Sequence, residues 1–85
     1  MLVVKILGAN CPKCRRLEQE VHDCLNELEI DCEIVKLDDF TDFMQYGILK
    51  LPGLVMNDVL LSTGRVPSRS QIIAWVAQMQ SPEHI

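Results

Sequence analysis

The apolar residues of the first third of the chain change from a continuous run to a helical repeat. Leu2–Leu7 is a β-favouring run interrupted only by Lys5, which is typical of a strand covered on both faces. Residues 8–10 end the run, and Pro12 suits the first position of a helix. From there an amphipathic helix is predicted, because apolar residues return every three or four positions. These positions are Cys14, Leu17, Val21, Cys24, Leu25 and Leu28.

The middle of the chain predicts a strand, a short helix and a hairpin. Residues 31–37 alternate in part and indicate a second strand. Residues 38–39 can cap a short helix through Tyr46, which Gly47 would end. Two apolar segments, 54–56 and 59–61, flank Asn57 and Asp58, which tolerate the backbone angles of a tight hairpin turn.

A final helix is predicted after Ser68, which forms a capping-box pattern with Gln71. Its buried stripe would be Ile72, Val76 and Met79. The element order is β-α-β-α-β-β-α, an α/β fold with a mixed four-stranded sheet flanked by helices. With 85 residues, we expect one domain spanning 1–85.

The charge and composition of the chain indicate which classes of partner and which compartment to expect. The net charge of −4 argues against nucleic acid and anionic membranes, which reward clustered Lys and Arg. No apolar run reaches the length of a membrane span, and the start of the chain does not resemble a signal peptide. We therefore expect a cytoplasmic protein, and four cysteines in that compartment favour redox catalysis or metal binding.

The Cys11-Pro12-Lys13-Cys14 motif carries the candidate chemistry. It lies where a strand meets a helix, so free backbone N–H groups and the helix dipole would lower the thiol pKa. Cys11 precedes the helix and is predicted to be the exposed nucleophile. Cys14 shares the apolar side and is predicted to be the buried resolving thiol. Pro12 and Lys13 would help to set the redox potential.

The remaining candidate residues have structural interpretations. Cys24 is interpreted as a small buried hydrophobic residue. A disulfide between Cys24 and Cys32 is the less favoured alternative. His22 and His84 are read as solvated. Core positions are expected for Tyr46 and for three methionines, and solvated charge for two arginines: Met44, Met56, Met79, Arg65 and Arg69.

Two further features of the sequence reveal a family resemblance. The CPKC motif resembles the active site of thioredoxins and glutaredoxins, and residues 46–52 (Tyr-Gly-Ile-Leu-Lys-Leu-Pro) resemble the thioredoxin segment that ends in a cis-proline. Gly64 and the last helix also match, so residues 2 to 79 resemble small thioredoxin-like redox-active disulfide proteins of archaea and bacteria. The resemblance implies a cis Leu51–Pro52 bond beside the sulfurs and a Leu51 backbone that pairs with substrate.

The chain departs from these families at three places. Thioredoxins carry Trp before the first Cys, where this chain has Asn10, and a buried Asp six residues before it, where this chain has Lys5. Lys5 either points to the site and stabilises a thiolate, or points outward with no role. Residues 62–65 lack the Gly-Gly pair with which glutaredoxins hold glutathione.

The leading hypothesis is therefore a protein-disulfide oxidoreductase whose redox group is the Cys11–Cys14 pair, with no separate cofactor or metal. Its expected partners are disulfide-containing proteins and a donor of the thioredoxin-reductase type, and a monomer is expected. Two alternatives stay open. One is a soft-metal-binding module, although such modules end in a strand. The other is a non-catalytic binding module.

Overall fold

The seven elements follow the predicted order, and the computed structural model describes residues 2–8, 10–48 and 50–80. The second strand begins one residue later than predicted, and the fourth runs two residues further. The elements are β1 (Leu2–Leu7), α1 (Pro12–Leu28), β2 (Cys32–Leu37), α2 (Phe40–Gln45), β3 (Gly53–Met56), β4 (Val59–Thr63) and α3 (Arg69–Gln80).

The four strands form one mixed sheet in the order β2-β1-β3-β4. β1 pairs parallel with β2 and antiparallel with β3, and β3 pairs antiparallel with β4. The hairpin turn holds Asn57 and Asp58 at φ values of 50° and 67°, the left-handed region that their residue types tolerate. Because β1 is central, the loop that follows it emerges in the middle of one end of the sheet.

The two faces of the sheet are covered by different helices. α1 and α3 pack on the face that presents Val4 and Ile6, which belong to the larger buried cluster. The other face presents Leu7 and Val55 to a smaller cluster, which Phe43 of α2 joins. This is the predicted α/β layering, with β1 fully buried on the face of Val4 and Ile6 and partly covered on the other, where Val3 and Lys5 are half-buried.

The predicted stripe of α1 is buried except at its end. Cys14, Leu17, Val21, Cys24 and Leu25 are at most 3 % exposed, whereas Leu28 in the last turn is 38 % exposed. The helix ends at Glu29, whose left-handed backbone directs its N–H to the Asn26 carbonyl at 3.1 Å.

One core prediction is wrong. Met44 is 53 % exposed. The physical reason is that α2 has only six residues and buries none completely, so only the side of Phe43 packs against the sheet. Met56 is fully buried as predicted, and Met79 packs partly buried against the larger cluster.

The helix cap predicted at the start of α3 is present in the structure. The Ser68 hydroxyl accepts the Gln71 N–H at 3.2 Å, as expected for a helix cap. His84 lies outside the described residues. None of the helices within the described ranges is long and apolar enough to cross a bilayer.

Candidate active site

The junction between β1 and α1 holds the two cysteines of the motif, which form a disulfide. Their Cα atoms lie 5.0 Å apart, within the usual range for a disulfide. Cys11 is half-buried, whereas Cys14 is 1 % exposed. The structure thus places the two sulfurs as the helical pattern predicted, with Cys11 toward solvent and Cys14 inside.

The helix start gives Cys11 an electrostatic setting that favours negative charge. Cys11 is the extended N-cap residue, and its Sγ accepts the Cys14 N–H at 3.1 Å. The first turn of α1 contains no acidic residue, and Pro12 and Lys13 are exposed there. A thiolate at this position would therefore be stabilised by a backbone donor, by the helix dipole and by nearby positive charge.

Gly8 belongs to the site, although the sequence analysis did not single it out. Its φ is +101°, and a Cβ placed on it would lie 2.8 Å from the Cys14 Sγ and 3.4 Å from the Leu51 Cβ. The backbone of Gly8 therefore fills the narrow space between Cys14 and Leu51, which a side chain would obstruct. A glycine directly after a strand is the sequence signal for such a close approach.

The loop before β3 brings Leu51 and Pro52 to this end of the sheet. The Leu51–Pro52 peptide bond is cis, as the resemblance implied. Pro52 is buried, and its carbonyl accepts the Gly64 N–H at 2.8 Å, whereas Leu51 is 38 % exposed. The exposed Leu51 and the buried sulfur of Cys14 therefore both lie close to Gly8.

Leu51 also lines an apolar cavity of about 330 Å³. Phe40 at its rim is 70 % exposed, an unusual position for a large aromatic side chain. The sequence analysis singled out neither Phe40 nor this cavity, although Phe40, Phe43 and Met44 share one side of α2. The lining residues are Phe40, Phe43, Met44, Ile48 and Leu51.

Neither interpretation of Lys5 is right. Its Nζ donates to the Tyr46 hydroxyl at 3.0 Å and lies 3.3 Å from Asp58 Oδ1. The hydrogen bond to Tyr46 and then that to Asp58 raise the pKa of Lys5. Lys5 therefore joins the end of α2 to the hairpin turn, because an ammonium group finds both a phenol and a carboxylate there. The Tyr46 ring packs half-buried against the smaller cluster.

Asn10, which stands where thioredoxins carry Trp, is exposed, and its amide donates to Asp38 Oδ2 at 3.1 Å. This bond ties the loop before Cys11 to the segment before α2. Ser62, at the third departure, is 8 % exposed, and its hydroxyl has no partner within the described chain.

The other cysteines and histidine lie away from this arrangement. Cys24 is buried and Cys32 is half-buried, and both are free, so the minority disulfide between them is not formed. His22 is exposed, 3.8 Å from Glu18. Within the part of the chain that the structure describes, no group of three or more His, Cys, Asp or Glu residues could hold a metal ion.

Comparison with known proteins bears on this site as a whole. The family model described as "Thioredoxin domain" matches residues 2–77. A thioredoxin of Methanocaldococcus jannaschii is 36 % identical over 72 residues, which cover 85 % of this chain and 83 % of the relative. A thioredoxin of Methanothermobacter thermautotrophicus is 33 % identical, with 85 % and 94 % covered.

A solved structure shows the same fold. Thioredoxin-2 of the malaria parasite superposes with a TM-score of 0.73 at 16 % identity, covering 92 % of this chain and 82 % of that one. Family match, relatives and the Cys11–Cys14 disulfide agree with one another. The chain belongs to the thioredoxin family and is a small thioredoxin-like thiol–disulfide oxidoreductase, similar to the archaeal thioredoxins.

Proposed function

We propose that the protein reduces protein disulfides, with Cys11 as the attacking nucleophile and Cys14 as the resolving thiol. The observation that carries this assignment is the unequal position of the two sulfurs. Cys11 is half-buried and its Sγ accepts a backbone N–H, whereas Cys14 is 1 % exposed and its Sγ lies against Gly8. A substrate can therefore reach Cys11 directly, but it cannot reach Cys14.

The reaction has two exchange steps. The Cys11 thiolate attacks one sulfur of the substrate disulfide, that disulfide breaks, and the leaving sulfur takes a proton from solvent. Cys14 then loses its proton and attacks the Cys11 sulfur, which breaks the mixed disulfide and releases the second substrate thiol. Two electrons have passed to the substrate, and Cys11–Cys14 is oxidised.

Leu51 and Pro52 are assigned to substrate binding. Leu51 is exposed near Gly8 and Cys14 and precedes the buried Pro52, whose carbonyl accepts the Gly64 N–H. The Leu51 backbone would pair with an extended substrate segment, in the manner of an added strand. Pro12 and Lys13 would shape the first turn and thereby the redox potential.

The remaining assignments concern partners and place of action. A reductase of the thioredoxin-reductase type would return two electrons to the Cys11–Cys14 disulfide, and no further cofactor would be required. We assign the protein to the cytoplasm as a monomer, where a reducing pool keeps such a carrier active.

Trapping variants test the two roles. Reduced Cys14→Ser protein, incubated with insulin, should accumulate a mixed disulfide through Cys11, because the resolving thiol is missing. Cys11→Ser should lose insulin reduction and form no such adduct. The adducts are measured by non-reducing gels and mass spectrometry of the linked peptides.

Cys32→Ser serves as the matched control, since Cys32 is a free and half-buried thiol away from the disulfide. It should keep the parent's reduction rate. Full insulin reduction by Cys11→Ser would refute the mechanism. Copper or zinc bound near one equivalent, and lost in the Cys11→Ser and Cys14→Ser variants, would instead support the metal-binding alternative.

A further inference from the structure

The basic residues of this acidic protein divide into two groups. Three of them contact carboxylates: Lys5 with Asp58, Lys36 with Glu18, and Arg69 with Glu20 and Asp23. The other five are exposed and form no ion pair with any residue that the structure describes. These five, which we call the basic collar, are Lys13, Arg15, Arg16, Lys50 and Arg65.

The members of the collar lie in three segments: the start of α1, which holds the disulfide, the loop before Pro52, and the segment after β4. Lys13 and Arg15 flank Cys14 on the first turns of α1, and Lys50 precedes the exposed Leu51. A Cβ on Gly64 would lie 3.1 Å from the Cβ of Lys50, so the residue before Arg65 packs against Lys50.

Arg16 completes the connection between the two sides. It lines an open cavity of about 370 Å³ together with residues 66–69, the segment that follows Arg65. The collar thus runs from the cis-proline loop, through the segment after β4, to the start of α1. Two of its members, Lys13 and Arg15, flank Cys14 of the disulfide in the chain, and Lys50 directly precedes Leu51.

The carboxylates of the neighbouring segments already have partners. Glu18 on α1 is paired with Lys36 at 3.3 Å, and Asp39 accepts the Thr41 N–H at 3.0 Å. Glu20 lines the same cavity as Arg16, but it is held by Arg69 at 3.3 Å. Asp38 lies at the other side of the site, where it accepts a hydrogen bond from Asn10. The net charge of the whole chain is −4, so the collar is a local reversal of sign at the reactive end.

We propose that the basic collar selects substrate disulfides whose cysteines are flanked by acidic residues. The inference rests on the proposed function and names the substrate class of the same site. Fixed positive charge around a reactive group attracts an oppositely charged partner, raises the association rate and disfavours basic partners. Nucleic acid is the less favoured occupant, because the rest of the surface is acidic and would repel a long polyanion.

Three oxidised peptides test the proposal. They carry the same disulfide and differ only in the four residues around one cysteine, which are acidic, neutral or basic. The second-order rate of their reduction by the reduced protein is measured at low and at physiological ionic strength. Each rate is divided by that of the small reductant dithiothreitol, whose attacking thiolate carries one negative charge as the Cys11 thiolate does, because flanking charge alters the reactivity of the disulfide itself.

At about 0.01 M ionic strength we expect the acidic peptide to be reduced about tenfold faster than the neutral one, and the basic peptide more slowly than both. The advantage should shrink to about twofold at 0.15 M, because the screening length falls from about 30 Å to about 8 Å. Arg65→Gln should lower the acidic-to-neutral ratio by about twofold, the scale of one exposed charge pair.

Gln78→Glu is the matched control, since it also lowers the net charge by one. Gln78 is exposed on α3, about 13 Å along the helix from Arg69 at 1.5 Å per residue. It should leave the ratio unchanged. Equal losses in the two variants would assign the preference to net charge and overturn the role of the collar.

Two further outcomes distinguish a failure of the collar proposal from a failure of the proposed reductase function. Equal normalised rates for the three peptides would refute the collar and leave the reductase function intact, whereas no reduction of the neutral peptide would refute the function itself. Strong inhibition by a short DNA duplex, without any preference among the peptides, would assign the collar to nucleic acid.

Discussion

The two pairs of cysteines in this chain show how backbone position decides the chemistry of a thiol. Cys11 and Cys14 lie on either side of a helix start and form a disulfide, whereas Cys24 and Cys32 remain free. The Cys11 sulfur accepts a backbone N–H at 3.1 Å. The Cys24 sulfur, inside the same helix, has only a weak 3.9 Å contact with the Arg69 carbonyl.

The surroundings of the second pair oppose ionisation. Burial raises the pKa of Cys24, an effect that nearby Glu20 increases and Arg69 partly offsets. Burial also raises the pKa of Cys32, with a smaller contribution from Asp31. Cys24 is fully buried in the larger cluster, where it packs as a small hydrophobe. The same residue type thus serves reaction in one place and packing in the other.

The largest difference between the two cysteine pairs is expected in their rates of alkylation in the fully reduced protein. With iodoacetamide at pH 7, Cys11 should react at least about 100-fold faster than Cys24, since its thiolate is stabilised and accessible while Cys24 must wait for opening of the core. The rates are measured by mass spectrometry of the labelled peptides. Similar rates for Cys11 and Cys24 in folded protein would contradict this account.

The packing around Cys14 can be tested at Gly8. Gly8→Ala should destabilise the oxidised protein by about 2–4 kcal/mol for two reasons. The new methyl group would overlap the Cys14 sulfur, and alanine is unfavourable at the positive φ of this position. The free energy of unfolding is measured by urea denaturation.

Gly47→Ala is the matched control for the Gly8 substitution. Gly47 also has positive φ, +69°, but a Cβ there would contact nothing within 4 Å. It should cost only the backbone strain, about 1–2 kcal/mol. If the two substitutions destabilise the protein equally, the close contact between Gly8 and Cys14 has no energetic weight.

The elements of this fold were predictable because their signals are local. The repeat from Cys14 to Leu25 specifies a buried helix face, and Asn57 with Asp58 specifies a tight turn between two strands. The unequal exposure of the two sulfurs followed from the same reasoning, since Cys11 precedes the helix and Cys14 shares its apolar side. A period and a turn are properties of neighbouring residues, which the sequence shows directly.

The parts that the sequence did not reveal depend on contacts across long separations. Lys5 meets Tyr46 and Asp58 only when β1 lies beside the hairpin and α2. Met44 was misplaced in the core because a six-residue helix has too few turns to show which side is covered. Gly8 looked like the end of a strand, and only the fold places it between Cys14 and Leu51.

The smallest effect separating the two cysteine pairs is expected in the pH dependence of stability. A thiol whose pKa is higher in the folded than in the unfolded state contributes stability that is full below about pH 8.5, the ordinary thiol value. That contribution is lost as the pH rises toward the folded-state pKa. Since burial raises the pKa of Cys24 and Cys32, the oxidised protein should lose stability between pH 8 and pH 10 through these two thiols.

The Cys11–Cys14 disulfide does not titrate, so substitution of the free pair isolates this effect. In oxidised Cys24→Ala/Cys32→Ala protein the unfolding free energy should start lower, because packing around Cys24 is lost, but it should fall less steeply above pH 8. Urea unfolding at pH 7 and pH 9.5 measures both slopes, with readings taken before thiol exchange begins. If the unfolding free energies of the parent and the variant fall equally with pH, the free thiols have the same pKa in the folded and the unfolded chain. Position in the fold would then alter thiol reactivity only at the helix start.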